Sequence, residues 1–141
     1  MRLVFDTAVM VAALRSDQGA SRRLLVAALE RRLTLLVSTP LLIEYEAVMT
    51  RAEHLNASGL ARNEVGQILD AVAAVATPVR LAFTWRPTLR DPDDDMVLET
   101  AVNGHANAIV TFNRRDFWPR IEEFGVAVWS PGEALKRLEA I

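Results

Sequence analysis

Four aspartates fall within five residues, at Asp91, Asp93, Asp94 and Asp95, in the stretch RDPDDDMVLETA that runs from Arg90 into an apolar helical pattern. Capping and the positive end of the helix dipole account for one aspartate at a helix start. Four exceed that need. Carboxylates a few ångströms apart do not all stay ionised without counter-charge, and a divalent cation is the simplest source of it. The chain has no cysteine and only two histidines. An all-oxygen donor set of this kind suits Mg²⁺ or Mn²⁺ rather than zinc. Held between carboxylates and phosphate oxygens, such a cation polarises a phosphodiester, stabilises the leaving oxygen and activates a water. Phosphodiester hydrolysis is therefore the chemistry these residues suit.

A cluster of acids does this work only if the fold brings further acids to it. RLVFD (Arg2 to Asp6) reads as a buried parallel strand that ends in Asp6. Ser21 is placed to cap RRLLVAALERR, and LTLLVS (Leu33 to Ser38) reads as a second strand. STPLLIEYEAVM follows as a helix with Ser38 or Thr39 as cap and Pro40 in its first turn, which puts Glu44 near its start. Leu41, Leu42 and Ile43 mark an interior face around Glu44, whereas Glu46 reads as solvent charge. Residues 56–75 read as one amphipathic helix and Val79 to Phe83 as a short strand. A helix follows the aspartates, then a strand (Ala106 to Phe112), a broken helix, a last strand (VAVWSP) and a closing helix at Pro131.

Strands alternating with helices along the whole chain predict an α/β domain, a three-layer α/β/α sandwich with a largely parallel central sheet. In such sheets the functional crevice lies beyond the carboxyl ends of the strands. Asp6, Glu44, the aspartate cluster, Asn113 and Asp116 all fall on that side, so the extra carboxylates are expected to complete a ring of acids.

The 141 residues suit a single domain, 1–141, able to bury a core of its own. A hydrophobic fraction of 51% and a mean hydropathy of +0.15 fit a compact fold. Without cysteine there are no disulfides, thiolate metal sites or cysteine nucleophiles. Asp6 interrupts the only early apolar run, and no uncharged run is long enough to span a bilayer, so the chain is read as cytoplasmic with no membrane partner. A net charge of −2 gives no global signature of nucleic-acid binding, which leaves that task to a local patch. Arg114 and Arg115 beside Asp116, and Arg90 before the cluster, are the candidate phosphate binders, with ion pairing as the alternative. Trp118 is a candidate base-stacking platform, while Phe83, Trp85 and Trp129 are assigned to packing. Leu55, Leu60, Ile68 and Leu69 exceed one core stripe and suggest a surface for a partner or a second copy.

Four blocks, VFDTAVMVAAL, STPLLIEYEAVM, RDPDDDMVLETAVNGHANAIVTFNRRDF and VAVWSPGEAL, resemble in order and nearly end to end the PIN-domain ribonucleases. The resemblance is to the bacterial branch of type II toxin–antitoxin toxins (VapC-like) in particular. It implies a PIN-like fold, a Mg²⁺ or Mn²⁺ site that cuts RNA, an antitoxin partner and a possible homodimer. It makes Asp6 the first metal ligand, Glu44 the second acid and Asp116 the fourth. The third acid is Asp94, because this branch often reads DPDDN. Counting back from Thr111 gives Asp95 as its close alternative. Two positions depart from the pattern: Ala8 stands where many relatives carry asparagine, and Asn113 where many carry aspartate.

Those departures motivate a second reading, a PIN-like domain with weak or no catalysis that binds RNA or a protein. A third, a phosphatase with Asp6 as nucleophile, lacks the second aspartate expected two residues on, where Ala8 stands.

Overall fold

The structure, a computed structural model, describes residues 1–82, 92–117 and 120–141. Phe83, Trp85, Arg90, Asp91 and Trp118, each given a role from sequence, lie outside the described residues. Among the described residues five strands form one all-parallel sheet: β1 (Arg2–Phe5), β2 (Thr34–Val37), β3 (Thr77–Pro78), β4 (Ala108–Val110) and β5 (Ala127–Trp129), in the order β3-β2-β1-β4-β5. Among the described residues seven α-helices flank it: α1 (Thr7–Arg15), α2 (Ala20–Leu29), α3 (Thr39–Met49), α4 (Ala52–Ser58), α5 (Arg62–Val75), α6 (Pro92–Asn103) and α7 (Pro131–Glu139). The result is the three-layer α/β/α arrangement that the alternation of strands and helices predicts.

The strand order decides where a site is built. From β1 the chain works outward through β2 to β3, then returns to the other side of β1 for β4 and β5. The order of strand addition therefore reverses between β1 and β4, and the loops leaving those two strands diverge to leave a crevice. Leu3, Val4, Phe5, Ala108, Ile109 and Val110 are all fully buried. This two-sided apolar burial is what a central parallel strand requires, and it fixes the ends of β1 and β4 rigidly.

Several boundaries differ from the sequence reading. The helix expected over 56–75 is two helices, because Gly59 adopts a left-handed backbone (φ 76°) that ends α4. The strand expected over 79–83 is instead the short β3 at Thr77–Pro78; Val79 still donates its backbone N–H to the Val37 carbonyl at 2.9 Å. Ser21 is not a cap. It lies inside α2, buried at the start of a stripe with Leu24, Leu25 and Ala28, so the helix must begin earlier, after Gly19. Leu69 is buried, and Leu55, Leu60 and Ile68 pack against the core, so these four do not form the free apolar surface expected of them. Ile43, expected inside, is 63% exposed.

Gly104, just past α6, is a close-packed junction. A Cβ added there meets the Val79 side chain at 2.8 Å and the Thr100 backbone carbonyl at 2.9 Å. The backbone oxygen has no rotamer by which to yield. Gly104→Ala is therefore expected to lower unfolding stability by about 1–3 kcal/mol, read as a lower urea midpoint; an unchanged midpoint would show that α6 has slack against β2 and β3.

Candidate active site

Asp6 occupies the N-cap position of α1, yet its side chain makes no capping hydrogen bond to the helix. Its Oδ2 instead accepts from the Thr111 hydroxyl at 2.7 Å, and that hydroxyl accepts from the Asn113 backbone N–H at 3.1 Å. The Asp6 backbone N–H donates to the Val110 carbonyl at 2.9 Å. The carboxylate at the end of β1 is thus held by the chain leaving β4, across the point where the order of strand addition reverses.

Glu44 is placed by its neighbours on α3. Ser38 caps this helix and also hydrogen-bonds through its hydroxyl to the buried Thr100 hydroxyl of α6 at 2.7 Å. Immediately after Glu44, the fully buried Tyr45 directs its hydroxyl to donate to the Phe5 carbonyl at the end of β1. Burial pushes the Tyr45 pKa well above its ordinary value, and the nearby Asp6 charge adds to the rise. The hydroxyl remains a protonated donor at neutral pH. Two buried polar contacts therefore tie α3 to β1 and to α6, the elements that carry the other acids.

The three elements meet at a cleft of about 350 Å³ whose lining includes Asp6, Ala8, Glu44, Asp93 and Asp94. Asp93, Asp94 and Asp95 occupy the first turn of α6, where the helix dipole favours negative charge. Successive helical residues diverge around the axis. Asp94 accordingly faces the cleft, whereas Asp95 is only 2% exposed and does not line it. Four positions on, Glu99 is buried on the same face of α6 as Asp95. Sequence reasoning passed over Glu99; its only signal was an acid set within MVLETAV, a run otherwise reading as core.

The residues after β4 are arranged differently from the sequence expectation. Asn113, Arg114, Arg115 and Asp116 are all exposed, the last three on a 3₁₀ turn (Arg114–Asp116), and none lines the acid cleft. Arg114 and Arg115 line a separate cleft of about 490 Å³ with Trp129 and Arg137, the Arg137 guanidinium stacking over the Trp129 ring at 4.6 Å. The positive charge at the acid cleft comes instead from Arg51, at the junction of α3 and α4 and beside His54, two residues that sequence reasoning did not single out.

The acids of the cleft, Asp6, Glu44, Asp93 and Asp94, offer carboxylate oxygens, which fit a hard divalent cation. Among the described residues no three acidic or histidine side chains form a preassembled metal cage. Mg²⁺ does not require one: it typically binds through one or two carboxylates, keeps several waters and completes its shell with substrate phosphate. Asp6, Glu44 and Asp94 are carboxylates of the cleft that could hold it.

Thr111 orients the Asp6 carboxylate and stands one hydrogen bond from the cleft. Groups in that position commonly contribute 10- to 100-fold to metal affinity or activity. Thr111→Val keeps the outline and removes both the donor to Asp6 and the acceptor of the Asn113 N–H. A loss of roughly that size in Mn²⁺ affinity is therefore expected by calorimetry in a protein that still folds, with stability lower by about 1–3 kcal/mol. Unchanged affinity would show that Asp6 needs no such support.

A family model described as PIN domain matches residues 2–115. Among solved structures, the chain is similar to one in the crystal structure of VapBC2 from Rickettsia felis bound to a DNA fragment from their promoter. The TM-score is 0.62 with 15% sequence identity, covering 92% of this chain and 98% of that one. No curated protein matches by sequence.

Proposed function

Because this chain belongs to the PIN-domain family, we propose that it is a divalent-metal-dependent endoribonuclease, the toxin of a toxin–antitoxin pair. The observation that carries the reading is the convergence of Asp6, Glu44 and Asp94, from three different elements, on one cleft at the reversal point of the sheet. Nothing in core packing calls for three such carboxylates around a common space, and their mutual repulsion is relieved by a cation.

In this reading Asp6, Glu44 and Asp94 hold Mg²⁺ or Mn²⁺, with Asp93 at the rim. When bound, the metal supplies Lewis-acid polarisation of a phosphodiester and a water of lowered pKa. Thr111 keeps Asp6 turned toward the cleft rather than toward the N–H groups of α1. The N-termini of α1 and α6 point their positive dipole ends at the carboxylates and at any anion drawn among them. Asp116 and Asn113, the fourth-acid positions by resemblance, stand outside the cleft and take the role of outer groups near incoming RNA. Arg114 and Arg115 line a different cleft, which puts any phosphate they bind beyond the reacting centre.

The antitoxin partner rests on the resemblance to VapC-like toxins, with the fold likeness to a VapBC2 chain in support. A homodimer and a cytoplasmic location belong to the same proposal. Among the described residues no helix is long and apolar enough to cross a membrane.

The reading is tested with purified protein and mixed RNA. Cleavage in Mn²⁺ or Mg²⁺, stopped by chelation and restored by returning the metal, is the expected result. A specific observation favours one other reading: Ala8 lines the cleft where many relatives carry an asparagine amide. A folded protein that binds RNA or an antitoxin yet leaves RNA intact at saturating Mn²⁺ would establish that second reading, a PIN-like binding domain.

A further inference from the structure

Arg51 is shared by two adjoining spaces. It lines the acid cleft, beside His54, and it also lines a neighbouring groove of about 590 Å³ with Ile43, Thr50 and Arg62. Its backbone is fixed as the residue that precedes α4, donating to the Val48 carbonyl at 3.1 Å and accepting from the His54 and Leu55 N–H groups at 3.0 Å. The guanidinium is therefore mounted on a rigid corner between two helices. Among the described residues Arg51 forms no ion pair. Its five donors in a planar fork match the oxygens of a phosphate.

The neighbouring groove has the character of a strand path. Arg51 and Arg62 set two positive charges against the single carboxylate of Glu46, so the groove favours an anion although the whole chain is net negative. Ile43, 63% exposed, offers it an aliphatic surface against which a base packs by van der Waals contact. On the acid side of Arg51, the His54 Nδ1 is buried with no hydrogen-bond partner, an arrangement that costs free energy until a ligand or water supplies one.

We propose that single-stranded RNA runs from the acid cleft across Arg51 into the groove of Ile43 and Arg62, the two guanidiniums each holding one backbone phosphate on the same side of the scissile bond. The proposal rests on the nuclease reading above and names the path by which its substrate lies in that site. It also accounts for a basic element beside a cleft that carries four carboxylates: phosphates flanking the scissile one need cations of their own.

The test measures binding apart from cleavage. A fluorescently labelled single-stranded oligoribonucleotide is titrated by anisotropy in Mg²⁺ buffer with the full chain carrying Asp6→Asn, which keeps the RNA intact. Arg51→Ala and Arg62→Ala are each expected to weaken binding about tenfold and to reduce the salt dependence by about one phosphate contact. Arg51→Lys is expected to retain most of the affinity. Arg23→Ala, in an exposed pair with Glu139 far along the chain, serves as the control. Affinities for both variants within twofold of that control, or a parent that binds no RNA, would overturn the path. So would an Arg51→Ala chain that changes from dimer to monomer in size exclusion with its RNA affinity intact, since the groove would then join two copies. Wild-type cleavage is measured separately. RNA cut by a protein whose binding ignores Arg51 rejects the path alone, and Arg51-dependent binding without cutting rejects the nuclease reading alone.

Discussion

Asp6→Asn is expected to reduce RNA cleavage on the order of a thousandfold, the scale on which losing one preorganised electrostatic contact to a transition state acts, while the fold survives. The substitution is nearly isosteric, and the side chain's amide oxygen can still accept from Thr111, which holds the native carboxylate at 2.7 Å. What disappears is the negative charge at the end of β1. That charge sits beside Glu44 and Asp94, so its loss also relieves repulsion within the cleft. Stability should therefore hold or rise slightly while activity collapses. A variant that cuts RNA at the native rate, with a native melting curve, would remove Asp6 from the chemistry.

Asp94→Asn and Asp95→Asn, adjacent and chemically identical changes, are expected to fail in different ways. Asp94 lines the cleft, so its substitution should lower Mn²⁺ affinity and cleavage by roughly the same thousandfold order with little effect on folding. Asp95 is 2% exposed and does not line the cleft, and a buried carboxylate is tolerated only when it is partnered. Asp95→Asn should chiefly destabilise the fold, by about 1–3 kcal/mol for a disturbed buried polar contact. Its residual activity should track the fraction folded. Denaturation midpoints and single-turnover cleavage, measured on both proteins, separate the two effects. The reverse pattern, with Asp95→Asn stable and inactive, would move the third ligand by one residue, as counting back from Thr111 suggests.

Much of this architecture was legible in the chain because parallel strands and amphipathic helices leave strong period-two, continuous and period-3.6 apolar patterns. RLVFD, LTLLVS and AIVTF each mark a strand within a residue or two. Less legible were features decided by packing between distant segments. The break at Gly59 depends on α4 and α5 each docking on its own face, and the apolar residues around it were absorbed by the core instead of forming a surface. Asp6, Glu44 and Asp94 share a cleft because three separate strand-to-helix junctions meet at the reversal of the sheet, and strand order alone dictates that meeting. By contrast, Arg114 and Arg115 follow Thr111 by only a few residues but lie on a 3₁₀ turn that brings them to another cleft. Adjacency along a chain does not survive the first tight turn. Thr111 and Arg51 were passed over for the same reason: neither residue type carries a signal until its neighbours in space are known.

The most direct test of the central claim is a calorimetric titration of Mn²⁺ into the wild-type protein and into the Asp6→Asn/Asp94→Asn double variant. If the cleft between β1, α3 and α6 is a metal site, the wild type gives a saturable isotherm and the folded double variant gives none. Equal isotherms for the two proteins, or no saturable binding by a folded wild type, would contradict it and leave the acids as architecture around a binding surface.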